Sequence, residues 1–116
     1  MTSTMFYICD LRPEWRWKWA VTFWRPDDNG YAFPLPWAGK YTAQRVNEGG
    51  SYYTAKEGKT LIRFPVPCDV VEAMGISPPP RHIDGDVGPV VLNIGKNRIA
   101  LRKAGRAAIA ALKGGA

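Results

Sequence analysis

Tryptophans and cations are interleaved in residues 12–25, and these two side-chain types together bind nucleotides. The run contains Trp15, Trp17, Trp19 and Trp24 together with Arg12, Arg16, Lys18 and Arg25. A base that stacks on an indole or a guanidinium gains about 1–3 kcal/mol, and cations attract the phosphates. Because Trp17 and Trp19 lie on the regular apolar face of an alternating pattern, we expect those two in the core. The candidate binding residues are therefore Trp15, Arg16, Lys18, Trp24 and Arg25, and ordinary strand packing is the alternative.

A second group of cations lies near the C-terminus. The net charge is +6, with ten basic and ten acidic residues through Asp86, and six basic and no acidic residues from Val87 onward. On a helix at roughly 100° per residue, one stripe holds Arg98, Arg102, Arg106 and Lys113, and Ile99 and Ile109 lie inside the same arc. The opposite arc is rich in alanine and contains Ala100, Leu101, Ala104, Ala107, Ala108, Ala111 and Leu112. The basic stripe is either a docking surface for an anionic partner or a solvated helix face.

Catalytic chemistry has one candidate set, Cys68 with His82 and Asp84. Cys68 precedes a predicted helix, whose dipole can lower a thiol pKa, and His82 could act as a base oriented by Asp84. The alternative is an inert packing cysteine, since two valines follow one residue later. We favour a protein that is not an enzyme, with a cysteine hydrolase that uses Cys68 as the alternative.

Metal and cofactor motifs are absent from the sequence. Cys9, Cys68 and the single histidine have no zinc-site spacing, and the Asp84-Gly85-Asp86 run fits a turn better than a calcium loop. The glycines match neither a P-loop nor a dinucleotide-binding loop. We therefore expect no cofactor and no metal.

Strands are expected in several segments that would position these residues. Residues 5–11 are apolar on both faces, as in a central strand, and residues 15–24 alternate as a second strand. The turn residues 26–30 predict a hairpin to residues 31–35 at a sheet edge, because Pro34 and Pro36 cannot donate ladder bonds. Residues 51–56 and 59–64 predict another hairpin, and residues 90–92 a brief strand.

Three helices complete the prediction. Thr42 caps a short helix that runs through Glu48 and is stopped by Gly49-Gly50, and Asp69 with Glu72 has the form of a capping box. The last helix covers residues 96–113. The expected fold is α+β, in one domain over residues 1–116. It has a mainly antiparallel sheet of about five strands, two short helices and a C-terminal basic amphipathic helix.

The composition is that of a globular protein, with 46% apolar and 22% charged residues. No stretch is long enough to cross a bilayer, and the first residues do not form a signal peptide. We expect a cytoplasmic protein that does not bind membranes. The sequence leaves both a monomer and a homo-oligomer open.

Segments 23–26, 30–31, 34–41 and 65–71 resemble small accessory proteins of bacteriophages and prophages. This resemblance implies a viral protein in the cytoplasm of a host bacterium. Such proteins often counter bacterial immunity by binding a CRISPR effector or by sequestering a nucleotide signal.

Together, the resemblance and the basic helix predict a non-enzymatic anti-defence protein of anti-CRISPR type. Its partner would be a bacterial defence protein, a ribonucleoprotein or a phosphorylated nucleotide. DNA mimicry is disfavoured, since a mimic needs dense negative charge. The alternative function is a nucleic-acid-binding module that uses the tryptophan and arginine residues of segment 15–25 with the basic helix.

Overall fold

The computed structural model describes residues 4–77 and 88–114. In this part of the chain the strands are β1 (Met5–Asp10), β2 (Thr22–Trp24), β3 (Tyr31–Ala32), β4 (Tyr41–Thr42), β5 (Ala55–Glu57) and β6 (Thr60–Pro67). The α-helices are α1 (Ala43–Gly49), α2 (Cys68–Ala73) and α3 (Gly95–Gly114). The predicted α+β class, the mainly antiparallel sheet and the C-terminal helix are confirmed.

The sheet is antiparallel, in the order β3-β2-β1-β6-β5, with β4 paired to the start of β1. β1 is the central strand, as its apolar sequence predicts, and all of its residues after Met5 are buried. β3 is a two-residue edge strand, which agrees with the prolines that follow it.

The core lies on both faces of this sheet because successive side chains of β1 point to opposite sides. On one face, Tyr7 and Cys9 pack in a cluster that includes Phe23 and Phe64 from the neighbouring strands and Leu101 from α3. The other face has a smaller cluster around β1, to which β4, α1 and α3 contribute; its buried members are Phe6, Ile8, Trp24, Tyr41, Val46, Tyr53 and Ala108. Helix α3 therefore contributes to both clusters.

The β5–β6 hairpin forms around Gly58, which has a φ of 63°. Its register shifts between Ala55 and Lys56, which pair with Arg63 and Leu61. This bulge leaves one extra residue on β6, so Leu61 joins Phe64 on the same face of the sheet. The predicted hairpin is confirmed at its turn, but its strands differ: β5 begins only at Ala55, because Gly50–Tyr52 forms a turn of 3-10 helix, and β6 continues to Pro67.

Helix α1 begins as predicted, because the Thr42 hydroxyl accepts a hydrogen bond from the Arg45 amide at 3.1 Å. The Arg45 guanidinium also pairs with Asp27 at 2.9 Å and with Asp28 at 3.1 Å. Both aspartates have positive φ values, 55° and 61°. These ion pairs link α1 to the turn between β2 and β3.

The capping box predicted for α2 is wrong. The helix begins at Cys68 with Pro67 in the cap position, and the Asp69 carboxylate accepts a hydrogen bond only from the Val70 amide. The Glu72 carboxylate instead accepts a hydrogen bond from the Tyr7 hydroxyl at 2.7 Å. Glu72 thus ties α2 to β1.

The long strand predicted over residues 15–24 is also wrong. Pro13–Trp15 forms a turn of 3-10 helix, and the strand covers only Thr22–Trp24. Residues 90–92 form two isolated bridges, Ile76 with Val90 and Ala20 with Leu92, rather than a strand. The described helices include none with the length and apolar character needed to cross a membrane.

The face by which helix α3 packs on the sheet only partly matches the predicted one. Leu101, Gly105 and Ala108 are buried, whereas Ala107 and Ala111 are exposed. The alanine-rich arc is therefore only partly internal. Ile109, expected within the basic arc, packs against the core, and Ile99 is 70% exposed.

Gly105 allows α3 to approach β6 this closely, since a Cβ at this position would overlap the ring of Phe64, which is fully buried. We expect Gly105→Ala to lower the free energy of unfolding by about 1–2 kcal/mol, because overpacking outweighs the gain in helix propensity. Urea denaturation measures the change. Gly95→Ala is the control in the same helix. The Cβ that it adds meets open space, so this variant should have no such cost. Equal stability of the two variants would contradict close packing at Gly105.

Candidate functional site

Residues 15–18, named here the tryptophan loop, are held in place by the side chain of Asn93. Its amide nitrogen donates to the carbonyl oxygens of Trp15, Arg16 and Lys18, at 3.4, 3.3 and 2.9 Å. The Asn93 backbone amide also donates to the Trp19 carbonyl at 3.0 Å. One residue just before α3 thus binds three of the four backbone carbonyls of this loop, which a β-ladder would otherwise bind.

The tryptophan loop presents an exposed aromatic surface with cations beside it. The Trp17 side chain is 79% exposed. The Lys18 ammonium lies 5.0 Å from the Trp17 ring centroid and 5.4 Å from that of Trp15. On Trp15, the Arg12 guanidinium lies 3.9 Å from the ring centroid. An exposed indole with a nearby ammonium is suited to stack a base and attract its phosphate.

Four arginines, named here the arginine cluster, adjoin this loop. They are Arg16, Arg98, Arg102 and Arg106. The Asn93 side-chain oxygen accepts a hydrogen bond from the Arg98 guanidinium at 2.9 Å, so the residue that holds the loop also holds the start of the cluster. Farther along α3, the Arg102 guanidinium donates to the Leu61 carbonyl at 2.9 Å.

Geometry brings the cluster members together, because the Asn93 side chain binds both the Arg16 carbonyl and the Arg98 guanidinium, and Arg98, Arg102 and Arg106 follow at four-residue intervals on α3. Burial, followed by the charges of Arg102 and Arg16, lowers the pKa of Arg98. Burial is also the largest cause that lowers the pKa of Arg102, with further lowering by Arg16 and Arg106. The Coulomb energy between like charges is unfavourable, so a bound anion would relieve it.

Carboxylates do not compensate this charge within residues 4–77 and 88–114. The ion pairs there join Arg12 to Asp10, Lys40 to Glu72, and Arg45 to Asp27 and Asp28. No member of the arginine cluster has a described acidic partner. The cluster and the loop together form a basic surface with an exposed aromatic side chain.

Six of the predicted binding residues come together here: Trp15, Arg16, Lys18, Arg98, Arg102 and Arg106. Of the two alternatives left open for the stripe on α3, a fully solvated face does not describe it, since Arg98 and Arg102 are half-buried and the Arg102 guanidinium reaches the Leu61 carbonyl of β6.

Trp24 and Arg25 do not join this surface. Trp24 was expected to be exposed but is only 5% exposed, and its indole N–H donates to the Asp10 carboxylate at 3.2 Å. It faces the second core cluster, so it has no accessible ring on which a base could stack. The Arg25 guanidinium donates to the Tyr31 carbonyl and lies 5.2 Å from the Trp37 ring centroid.

The sequence pattern does not identify three residues of the site. Trp17 lies in an alternating pattern that predicts a core position, and Arg12 belongs to the run of residues 12–25 but not to the candidate binding residues. Asn93 belongs to none of the predicted motifs. The contacts of Asn93 join residues about 75 positions apart and leave no local signal. Pro13 was the one local signal against a continuous strand, since proline favours the first turn of a helix.

The cysteine hypothesis gains no support from Cys68. Burial raises its pKa from 9.0 to about 11, so the expected lowering is wrong and the thiol is protonated at neutral pH. His82 and Asp84, the other members of the set, lie outside the described residues, as does Asp86. Within the described part of the chain, no group of three or more acidic, histidine or cysteine side chains could hold a metal ion.

Comparisons of this chain with protein-family models, with curated proteins and with solved structures found no match.

Proposed function

We propose that this protein binds single-stranded nucleic acid, without catalysis, through the surface formed by the tryptophan loop and the arginine cluster. The observation that carries the proposal is the convergence of a 79% exposed tryptophan with four arginines that have no described acidic partner. The arginines supply attraction for the backbone phosphates, and Trp17 supplies a stacking surface.

A single strand fits this surface better than a duplex does. Stacking on Trp17 requires an accessible base face, which an unpaired base offers and a stacked base pair does not. Asn93 holds the backbone of the loop, so this backbone is ordered before the ligand arrives, which lowers the ordering cost of binding.

Trp17→Ala tests the stacking role, because so exposed a side chain can be removed without opening the core. We expect the variant to bind oligo-uridine and oligo-thymidine about 5- to 150-fold more weakly, as one stacked base contributes about 1–3 kcal/mol. Fluorescence anisotropy of labelled strands of about 12 nucleotides, within the usual footprint of a small single-strand-binding domain, measures the affinity.

The matched control is Trp37→Ala. Trp37 is 41% exposed and lies beside Arg25, which is not part of the proposed binding surface. It should leave the affinity unchanged. Two results would each overturn the proposal: wild-type protein that retains neither strand at low salt, or equal losses in the two tryptophan variants.

The role of an anti-defence inhibitor stays a prediction from the resemblance. The surface described above favours a target that presents single-stranded RNA or a phosphorylated nucleotide. An acidic protein surface would use the arginines but would not need an exposed indole beside them.

A further inference from the structure

A second feature, separate from the basic aromatic surface, is a groove along the C-terminal half of α3. It has a volume of about 600 Å³ and lies between α3, α1 with the turn that follows it, and strand β5. Aliphatic side chains in its lining are Val46, Leu61, Ile109 and Leu112. This volume is in the range of roughly 300–1,000 Å³ that small-molecule sites occupy.

The charged residues of the groove are all positive. Lys56, Arg106 and Lys113 line it, and each of the three is exposed. No acidic residue lines the groove, and no described carboxylate pairs with any of the three cations. An anion would therefore meet attraction without displacing an internal ion pair of the described chain.

The uncharged lining selects the rest of the ligand. It contains no aromatic ring, so it offers no surface on which a nucleobase could stack. Contact between its aliphatic side chains and the methylene groups of a ligand would instead favour binding, in proportion to the apolar area removed from water. The groove thus combines affinity for an alkyl chain with affinity for a negative headgroup.

We propose that this groove binds a free anionic amphiphile, in which a single aliphatic chain ends in a carboxylate. The chain covers the half-buried Ile109 and Leu112, above a floor formed by the buried Val46 and Leu61, and the carboxylate lies among Lys56, Arg106 and Lys113. This site shares Arg106 with the arginine cluster, and the variants below leave Arg106 in place so that they act on the groove alone.

Isothermal titration calorimetry with octanoate, decanoate and octan-1-ol tests both parts of the ligand. Decanoate should bind about 15-fold more tightly than octanoate, since each buried methylene group contributes about a fourfold gain. Octan-1-ol should bind more weakly than octanoate because it has no charge. Lys56→Gln combined with Lys113→Gln should weaken decanoate about fivefold and leave octan-1-ol unchanged.

Ala110→Trp and Ala107→Trp form a matched pair that tests the location. Both alanines are exposed on α3, but only Ala110 lines the groove. Ala110→Trp should abolish decanoate binding, and Ala107→Trp should retain it. The proposal is overturned if decanoate gives no saturable heat, if octan-1-ol binds as tightly as octanoate, or if the two tryptophan variants bind decanoate equally.

Discussion

Arg12→Met is expected to lower the free energy of unfolding by about 3 kcal/mol, because it leaves the Asp10 carboxylate buried without its cation. The Asp10 side chain is only 1% exposed, and it pairs with the Arg12 guanidinium at 2.7 Å. The hydrogen bond to Asp10 is also the largest cause that raises the pKa of Arg12. The indole N–H of Trp24 and the Arg12 backbone amide are the other donors to this carboxylate, and both are neutral.

A second substitution separates the lost charge pair from lost packing. Adding Asp10→Asn to Arg12→Met removes the unpaired charge while keeping an acceptor for Trp24, so it should recover about 1–2 kcal/mol. Arg25→Met is the control, since Arg25 has a carbonyl and an aromatic ring as its partners and no described carboxylate; it should cost less than about 1 kcal/mol. Urea denaturation followed by tryptophan fluorescence measures all three. Failure of Asp10→Asn to restore stability would show that the buried charge is not the cause.

Elements with local signals were predictable from the sequence. The continuous apolar run predicted β1 at the centre of the sheet, and Thr42 predicted the start of α1. The turn at Gly58 predicted the β5–β6 hairpin. For α1 and the β5–β6 hairpin the decisive contacts lie within a few residues. For β1 only the signal is local: its apolar sequence predicts burial on both faces, although its partners in the sheet are distant in the chain.

Elements that depend on distant partners were not predictable in this way. The alternation of residues 15–24 satisfied the two-residue period of a strand, but Asn93 supplies the hydrogen bonds that keep residues 15–18 in a loop. Exposure of Trp17 follows from that loop rather than from its position in the pattern. Distant contacts also bury Trp24, whose indole N–H reaches Asp10 on the neighbouring strand.

The predicted buried face of α3 was partly wrong for a related reason. Helical periodicity identified the arginine stripe but treated Gly105 as neutral, although its missing side chain permits the closest approach to Phe64. Packing on Gly105 moves the buried face away from Ala107 and Ala111 and toward Arg98 and Arg102. Arginine tolerates such a boundary position because its apolar stem packs while its guanidinium finds polar partners.

The sequence could not show whether the two predicted basic segments, residues 12–25 and the stripe on α3, lie on the same surface. Arg16 and the α3 arginines lie about 80 or more positions apart in the chain, yet the Asn93 side chain binds both the Arg16 carbonyl and the Arg98 guanidinium. The charge of Arg16 also contributes to the lowered pKa of Arg98 and of Arg102. This proximity makes one composite surface more favourable than two separate ones, because a single phosphate backbone can neutralise all four charges.

Salt dependence gives the largest expected effect of that composite surface. Contacts with about four phosphates predict that a rise from about 50 mM to about 200 mM salt weakens single-strand binding about 50-fold, since each contact contributes roughly −0.7 to the logarithmic slope. Arg16→Gln with Arg106→Gln removes two exposed cluster charges and should reduce this loss to about sevenfold. Lys59→Gln with Lys103→Gln removes the same charge from exposed positions outside the cluster and should leave the 50-fold loss unchanged. Anisotropy titrations at both salt concentrations decide between the two cases. Equal slopes for the two double variants would mean that the net charge of +6, rather than the arginine cluster, attracts the strand.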